Sequence, residues 1–289
     1  MPLGNVLLSP LHFGFLQRGL VEAILTGALC GVLGTYVVLR GMAFLGNAMA
    51  NAVFPGIVIA YLLHVELLLG GFASGILIAL GIGGVSQNRR LRADSAIGVL
   101  FVGAFALGVV LISSIRAYTR DLATILLGDI LGVTRQDVVL TVATGCLVLL
   151  ALYFFHKELV LMSFDREMAV AMGLPVARLE IGLLLLLTLV IIVSIQAVGS
   201  ILVLALLITP AATARLLTDR LTTMMGLAAA LGTLAGVVGL YASYYVNLAS
   251  GGTIVLIATG FFFLTWLFSP RYGIMRRRVR MAKSASEAR

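Results

Sequence analysis

Two asparagines stand in an otherwise apolar segment, GMAFLGNAMANAVFPGIVIAYLL, which covers residues 41–63. Asn47 and Asn51 are four positions apart, so a helix places them on one face, and Pro55 follows one turn later. An amide in an apolar helix needs a hydrogen-bond partner, either on another helix or on something polar that passes along it. The segment therefore predicts either the lining of a path for a polar solute or a contact between helices.

The composition places most of the chain in lipid. Hydrophobic residues make up 61% of the 289 positions and charged residues 11%, whereas soluble domains are about 25% charged. Crossing ~30 Å of hydrocarbon takes ~20 apolar residues, and such segments recur along residues 1–270. They predict an all-α polytopic membrane protein without a separate soluble domain. The candidate spans lie near 17–39, 44–63, 67–87, 96–115, 136–155, 181–198, 200–217, 222–243 and 253–269.

Basic residues predict how the spans are oriented. By the positive-inside rule, the side with more loop arginines and lysines is the cytoplasm, and that side includes the tail 271–289. The N-terminus is then outside, unless the first segment does not fully cross and only eight spans exist. The inner set is Arg40, Arg89, Arg90, Arg92, Lys157, Arg166, Arg178, Arg215 and Arg220, and the outer set is Arg18, Arg116, Arg120 and Arg135.

The net charge of +8 does not indicate a nucleic-acid partner, because its basic tail directly follows an apolar span and so predicts contact with anionic lipid. Residues 122–135 predict a short helix or re-entrant segment on the outer side. Two glycine-rich runs, 26–36 and 226–243, are typical of closely packed membrane helices. Cys30 and Cys146 lie inside apolar spans and are interpreted as buried small hydrophobes.

Several other polar or helix-breaking residues are candidates for function. His64 and Glu66 follow the second span at its outer mouth, where an entering cation could meet them, but the wet helix end favours ordinary interface residues. Glu22 is a carboxylate inside the first span, with either a functional role or an ion pair to Arg18. Proline removes a backbone donor, so Pro55 and Pro210 are candidate hinges or gates, or else static kinks.

The longest inner loop, 156–180, contains a second candidate site. Asp165 can cap a short helix from Arg166 to Met172, after which Gly173 and Pro175 supply stop signals. A loop between two spans needs no such helix, whereas an apolar helix face suits a groove on a partner protein. An interfacial helix on the lipid surface is the alternative. The residues expected to be partly exposed are Met168, Ala169, Ala171 and Met172, beside Glu167.

SFDREMAVAMGLP, at residues 163–175, resembles the loop that vitamin B12, siderophore and metal importers of the ATP-binding-cassette class insert into their ATPase. VLRGMAFLGNAMANAVFPGIVIAYLL resembles the second span of the ABC-3 family of manganese, zinc and iron permeases. AVGSILVLALLITPAATARLLTDRL, at 197–221, resembles that family's signature, and LLGDILGV (126–133) and YYVNLASGGTIVL (244–256) also fit. The resemblance covers almost the entire chain.

The resemblance implies a type II, vitamin B12-importer-like permease in a bacterial cytoplasmic membrane. It further implies a homodimer bound to separate ATPase subunits, with metal delivered by an extracytoplasmic metal-binding protein. ATP would be hydrolysed by the partner, with no cofactor on this chain. The residues agree, because the only lysines are Lys157 and Lys283 and neither follows a phosphate-binding glycine turn.

The chain departs from the family pattern at the residues thought to line the metal path. The family usually has Asp and His where this chain has Asn47 and Asn51, and Asn247 stands near another acidic position. Neutral amides offer carbonyl oxygens without negative charge, which disfavours a bare divalent ion in a low-dielectric channel. Either the ion keeps water ligands or meets carbonyls briefly, or the cargo is a metal chelate or another small solute.

Two other functional classes are less consistent with the sequence. An enzyme would need a catalytic or metal-binding constellation, yet His12, His64 and His156 are far apart and no paired carboxylates occur within the spans. A secondary transporter would need an ionisable residue at mid-membrane and inverted repeats. No clear repeat is found, and the mid-membrane positions of interest are amides.

Overall fold

The computed structural model describes residues 13–85, 93–113, 130 and 132–269, and every regular element within them is an α-helix. The predictions for the tail 271–289, for residues 122–129 and 131, and for Arg89, Arg90, Arg92, Arg116 and Arg120 lie outside the described residues. The helices are α1 (Gly14–Leu39), α2 (Ala43–Ala52), α3 (Phe54–Leu62), α4 (Leu67–Val85), α5 (Ala93–Ser113), α6 (Arg135–Phe154), α7 (His156–Phe164), α8 (Arg166–Ala171), α9 (Val176–Val198), α10 (Ser200–Leu217), α11 (Leu221–Val246) and α12 (Ser250–Phe268).

The predicted all-α, many-span architecture is confirmed. Seven of the described helices are long and apolar enough to cross a membrane, and two shorter apolar stretches, Gly46–Leu62 and Ile97–Leu111, coincide with the remaining candidates. Helix α1 alone has 26 residues, about 39 Å at 1.5 Å per residue. It is therefore long enough to span a membrane.

The second span, predicted as one helix near 44–63, consists of two consecutive helices joined through Val53, which keeps right-handed helical dihedrals. Helix α2 ends at Ala52 and α3 begins at Phe54, with Val53 between them and Pro55 in the first turn of α3. Proline has no N–H to donate to the carbonyl four residues earlier, so the helical ladder is interrupted there. Pro210, by contrast, lies within the continuous helix α10. Of the two candidate hinges, only Pro55 stands at a boundary between helices.

The inner segment 156–180 contains more helix than predicted. Residues 156–164 were expected to belong to a loop, but they form α7, which packs inward through Leu159 and Met162. These two residues are three positions apart, the spacing that puts them on one helical face. The prediction was wrong because a nine-residue helix is too short to give a strong periodic signal beside a long apolar span.

The centre of the bundle is formed by α1, α9, α10 and α11, and glycines let α1 approach two of its neighbours. A Cβ at Gly27 would lie 2.7 Å from the carbonyl carbon and oxygen of Gly232 on α11, and one at Gly31 would lie 2.6 Å from the Ala228 carbonyl oxygen. The predicted role of the two glycine runs in tight helix packing is therefore confirmed.

We expect Gly34→Ala to destabilise the protein. Its Cβ would collide with the Leu207 carbonyl oxygen on α10 and lie 3.2 Å from the Ala211 methyl group. Overpacking of this kind costs about 1–3 kcal/mol, which exceeds the helix-propensity gain of about 1 kcal/mol from replacing glycine by alanine. Gly182→Ala is the matched control, because nothing lies within 4 Å of its Cβ. Thermal unfolding in detergent should show a lower Tm for Gly34→Ala alone.

One of the two alternatives for Glu22, an ion pair with Arg18, is wrong. Glu22 does not pair with Arg18, whose Nε donates to the Gly14 carbonyl 3.1 Å away. Instead Glu22 is fully buried, and its Oε1 accepts hydrogen bonds from Thr26 at 3.2 Å and Thr141 at 2.8 Å, which ties α1 to α6.

The cysteines also differ from each other in their surroundings. Both thiols are free, and Cys30 is buried between helices as predicted, but Cys146 is exposed on the outward face of α6. The predicted burial of Cys146 is wrong, because burial depends on which face of α6 packs against α1 and α9.

Candidate functional site

Helix α8 is built as its sequence predicts. The Asp165 carboxylate accepts a hydrogen bond from the Met168 backbone N–H at 2.8 Å, so it caps the amino end. At the other end Gly173 has a φ of 76°, a conformation that glycine adopts without steric cost. Between them the six-residue helix Arg166–Ala171 projects from the end of the bundle where α1 stops. We call this end, marked by Arg40 and α8, the inner end.

The outer surface of α8 is apolar. Met168 is 51% exposed and Met172 is 63% exposed, and the neighbouring Val170 and Phe164 are exposed as well. Ala169 was expected to be partly exposed but is fully buried, because it lies on the opposite side of the helix, against the bundle. An exposed cluster of large apolar side chains beside charged Arg166 and Glu167 is the kind of surface that a partner groove covers.

A buried ion pair connects this helix to the bundle, and sequence reasoning missed it. Glu180 in α9 accepts from Arg40 Nη2 at 2.5 Å through Oε1 and from Arg166 Nη2 at 3.1 Å through Oε2. In the sequence, Arg40 is one of the basic residues of the inner side and Glu180 is the last residue of the inner loop 156–180. The available signal was an acidic residue in the early turns of one span and an arginine at the same end of another.

The two path candidates on α2 contact each other. Asn51 Nδ2 donates to the Asn47 backbone oxygen and to the Asn47 Oδ1, each at 2.9 Å. Both residues are half-buried on one face of α2, as their spacing predicts. The arrangement leaves the Asn51 Oδ1 and the Asn47 Nδ2 without a partner in this pair, so a carbonyl oxygen remains to face a cation or a water molecule. Their roles in a path stay predictions.

Asn247 occupies a different place. It ends α11 in the left-handed conformation, with a φ of 54°, a position that asparagine accepts more readily than most residues. It lines a cavity of about 520 Å³ together with Phe15, Ser243 and Tyr244, among others, none of them from α2. The described part of one chain therefore does not bring Asn247 into a common site with Asn47, and the local backbone gives asparagine here a structural reason.

The two residues predicted at the outer mouth, His64 and Glu66, do not line the same cavity. Glu66 lines a cavity of about 370 Å³ with Gln136, Asp137 and Gln196. His64, two residues earlier, is exposed in a left-handed turn and is not among the residues that line this cavity. In the residues that the structure describes, no group of three or more His, Cys, Asp or Glu side chains could hold a metal ion. The side-chain amides of Asn47 and Asn51 offer oxygen ligands of the kind that hard divalent cations take.

Similarity to known proteins identifies the family of this helical bundle. The profile of the ABC 3 transport family matches residues 12–269. The chain belongs to this family. The match runs through every described span, so the family assignment covers the whole bundle rather than one motif.

Two relatives and one solved structure show how far the likeness to known proteins extends. The manganese transport system membrane protein MntC of Halalkalibacterium halodurans is 47% identical over 267 residues, 92% of this chain and 91% of its own. The protein of Haemophilus influenzae named "Probable iron transport system membrane protein" is 38% identical over 94% of this chain and 96% of its own. PsaBC from Streptococcus pneumoniae, solved in complex with Fab, has a TM-score of 0.83 at 37% identity and covers 95% of this chain and 99% of that chain.

Proposed function

We propose that this chain is the membrane-spanning permease of an ATP-driven bacterial importer for a divalent transition metal, with Mn²⁺ the first candidate. The observation that carries the proposal is the apolar face of α8. A six-residue capped helix with Met168 and Met172 exposed has no use in a loop that merely joins two spans. Relatives named for manganese and for iron transport match nearly the full length and support both the class and the cargo.

The proposal assigns three partners. An ABC ATPase subunit, which hydrolyses ATP, receives α8 at the inner end. An extracytoplasmic metal-binding protein delivers the ion at the opposite end, near the cavity that Glu66 lines. A second copy of this chain completes the path, because Asn47 and Asn51 lie on one face of a single helix and a two-fold axis would bring four such amides together. The basic tail contacts membrane lipid.

The amides on α2 limit how the ion can pass. The Asn51 side-chain oxygen, which the hydrogen bonds to Asn47 do not use, can replace one water of a hydrated Mn²⁺, but no carboxylate in the pair compensates the charge. The ion therefore keeps part of its hydration shell, and selectivity rests mainly with the external binding protein. The second candidate is a metal chelate or another small solute of lower charge, which the neutral Asn47–Asn51 pair favours.

A secondary transporter has one point in its favour and one against. Glu22 is a fully buried carboxyl group inside a span, the type of residue that could couple an ion gradient. However, Thr26 and Thr141 hold it between α1 and α6, and it lines none of the cavities described around Asn247 and Glu66. We therefore assign Glu22 to helix packing.

The test of this function is Mn²⁺ uptake into proteoliposomes. We expect accumulation when the full chain is reconstituted with its ATPase, ATP inside the vesicles and the external binding protein outside, and none when the ATPase or ATP is omitted. Competition by Zn²⁺, Fe²⁺ and a ferric chelate then ranks the cargoes. Uptake that persists without the ATPase and follows an imposed ion gradient would instead establish a secondary transporter.

A further inference from the structure

The ion network at the inner end joins three separate elements through one carboxylate. Arg40 directly follows α1, Glu180 lies in α9 and Arg166 is the first residue of α8. The side chains of Arg40 and Glu180 are each 9% exposed, and that of Arg166 is 53% exposed. Glu180 is therefore the shared centre of the network. Its ion pair with Arg40 lies inside the bundle, and its ion pair with Arg166 reaches the ATPase-docking helix; these two ion pairs are called the limbs of the network.

This network is not what stability alone would favour. Burial lowers the pKa of Arg40, and the neighbouring Glu180 opposes that shift. In the part of the chain that the structure describes, Arg40 Nη1 is buried without a hydrogen-bond partner. Taking two charges out of water is expensive, and apolar residues of similar volume often replace such pairs without loss of stability. A buried pair that is also incompletely satisfied needs another reason to be present.

A second contact fastens the same end of α1 to the same segment. The Tyr36 hydroxyl lies 3.3 Å from His156 Nδ1 at the start of α7, and α7 leads directly into α8. Tyr36 and Arg40 are four positions apart, so they lie on one face of α1. The last turn of α1 is thus linked to the α7–α8 segment twice, directly through the Tyr36 hydroxyl group and indirectly through Glu180 of α9.

Helix α2, which carries the two path candidates and is called the path helix below, begins immediately after this end of α1. Gly41, with a φ of 67°, and Met42 are the only residues between Arg40 and α2, which carries Asn47 and Asn51. So short a connection cannot absorb a displacement of Arg40 without moving the first turn of α2. The glycine supplies a point about which α2 can turn relative to α1.

We infer that Glu180 is a positioning residue that transmits movement of the ATPase-docking helix α8, through Arg166 and Arg40, to the path helix α2. The inference rests on the proposed function. A push on α8 displaces Arg166. Glu180 transmits this displacement to Arg40, and α2, which is connected to Arg40 through Gly41 and Met42, moves in turn. A carboxylate with two charged partners suits such a link. Charge-assisted hydrogen bonds are short and directional, and an ion-pair network can change between two discrete arrangements.

The experiment compares charge exchanges in proteoliposomes that contain the full chain and its ATPase, with the external binding protein and Mn²⁺ supplied outside. The first variant, Glu180→Gln, removes the negative charge and with it both ion pairs. The double exchange of Arg40→Glu with Glu180→Arg keeps the pair inside the bundle but places Arg166 against a like charge. Adding Arg166→Glu to the double exchange makes both limbs attractive again. Co-purification with the ATPase, ATP hydrolysis and Mn²⁺ accumulated per ATP are measured for each.

We expect Glu180→Gln and the double exchange to lower the Mn²⁺ accumulated per ATP by at least about fivefold while the ATPase still co-purifies. The triple exchange should restore the wild-type ratio, which a purely structural role of Glu180 does not predict. Asp219→Asn is the control, since it breaks the exposed Arg215–Asp219 pair, 4.0 Å apart, and should leave the ratio unchanged. Arg166→Gln, which removes only the half-exposed limb, tests the link if Glu180→Gln does not fold.

A wild-type ratio in the folded double exchange or in Arg166→Gln would overturn the inference. So would a triple exchange that folds and binds the ATPase but stays uncoupled. These outcomes differ from failure of the proposed function, in which the wild-type chain itself would accumulate no Mn²⁺ in response to ATP.

Discussion

Replacing Met168 and Met172 together by glutamate should abolish association with the ATPase while leaving the permease folded. Both side chains are more than half exposed and neither contributes to the buried core, so the bundle loses little. In the complex, each carboxylate would have to leave water for an apolar groove. A loss of about 2 kcal/mol or more at each position, typical of a central interface contact, weakens binding several hundredfold when the two are added, at ~1.4 kcal/mol per tenfold.

Co-purification of tagged permease with its ATPase measures this effect directly. Leu248→Glu is the matched control, because Leu248 is 57% exposed but lies at the opposite end of the bundle, beyond Asn247. It introduces the same charge and should bind the ATPase normally. Retention of the ATPase by the Met168/Met172 variant would remove α8 from the docking surface and leave it as an interfacial helix on the lipid.

The docking helix was predictable because its signals are local. An Asp165 cap, a glycine stop and a proline lie within eleven residues, and the backbone uses them as short-range rules require. The spans were predictable for a similar reason, since length and apolar composition are properties of one segment. The burial of Ala169 was missed because it depends on which side of α8 faces the bundle, and only the contacts with α7 and α9 decide that.

Long-range pairing accounts for most of what sequence reasoning could not supply. The Arg40–Glu180 pair joins residues 140 positions apart, and the Glu22–Thr141 hydrogen bond joins residues 119 positions apart. No periodicity within one segment predicts such partners. From the sequence, the nearest candidate ion-pair partner of Glu22 was Arg18, in the same helix. The junction at Val53 was missed for a different reason. The sequence shows that Pro55 lacks a backbone donor, but how far the hydrogen-bond ladder is disturbed depends on packing, here against α4 and α5.

The second large effect concerns the amides on α2. We expect Asn47→Asp to change uptake and metal preference by at least tenfold. A carboxylate at this position can still accept the Asn51 Nδ2 hydrogen bond at 2.9 Å, so the helix keeps its internal contact. What changes is one negative charge on the path, and a unit charge ~4 Å away contributes about 4 kcal/mol at an effective dielectric constant of 20. The combination with Asn51→His, which supplies an imidazole ligand, should shift preference further toward Zn²⁺.

Asn51→Ala separates the two possible roles of the pair. If the asparagines only hold α2 in shape, Asn51→Ala removes both of the hydrogen bonds it donates to Asn47 and should impair folding and uptake, whereas Asn47→Asp should leave uptake of every metal unchanged. If they line the path, the order is reversed: Asn47→Asp alters the ranking of Mn²⁺, Zn²⁺ and Fe²⁺, and Asn51→Ala retains a stable bundle with altered selectivity. Uptake rates for the three ions and the Tm of each variant decide between these patterns, because a change in selectivity without a change in Tm cannot come from lost helix contacts.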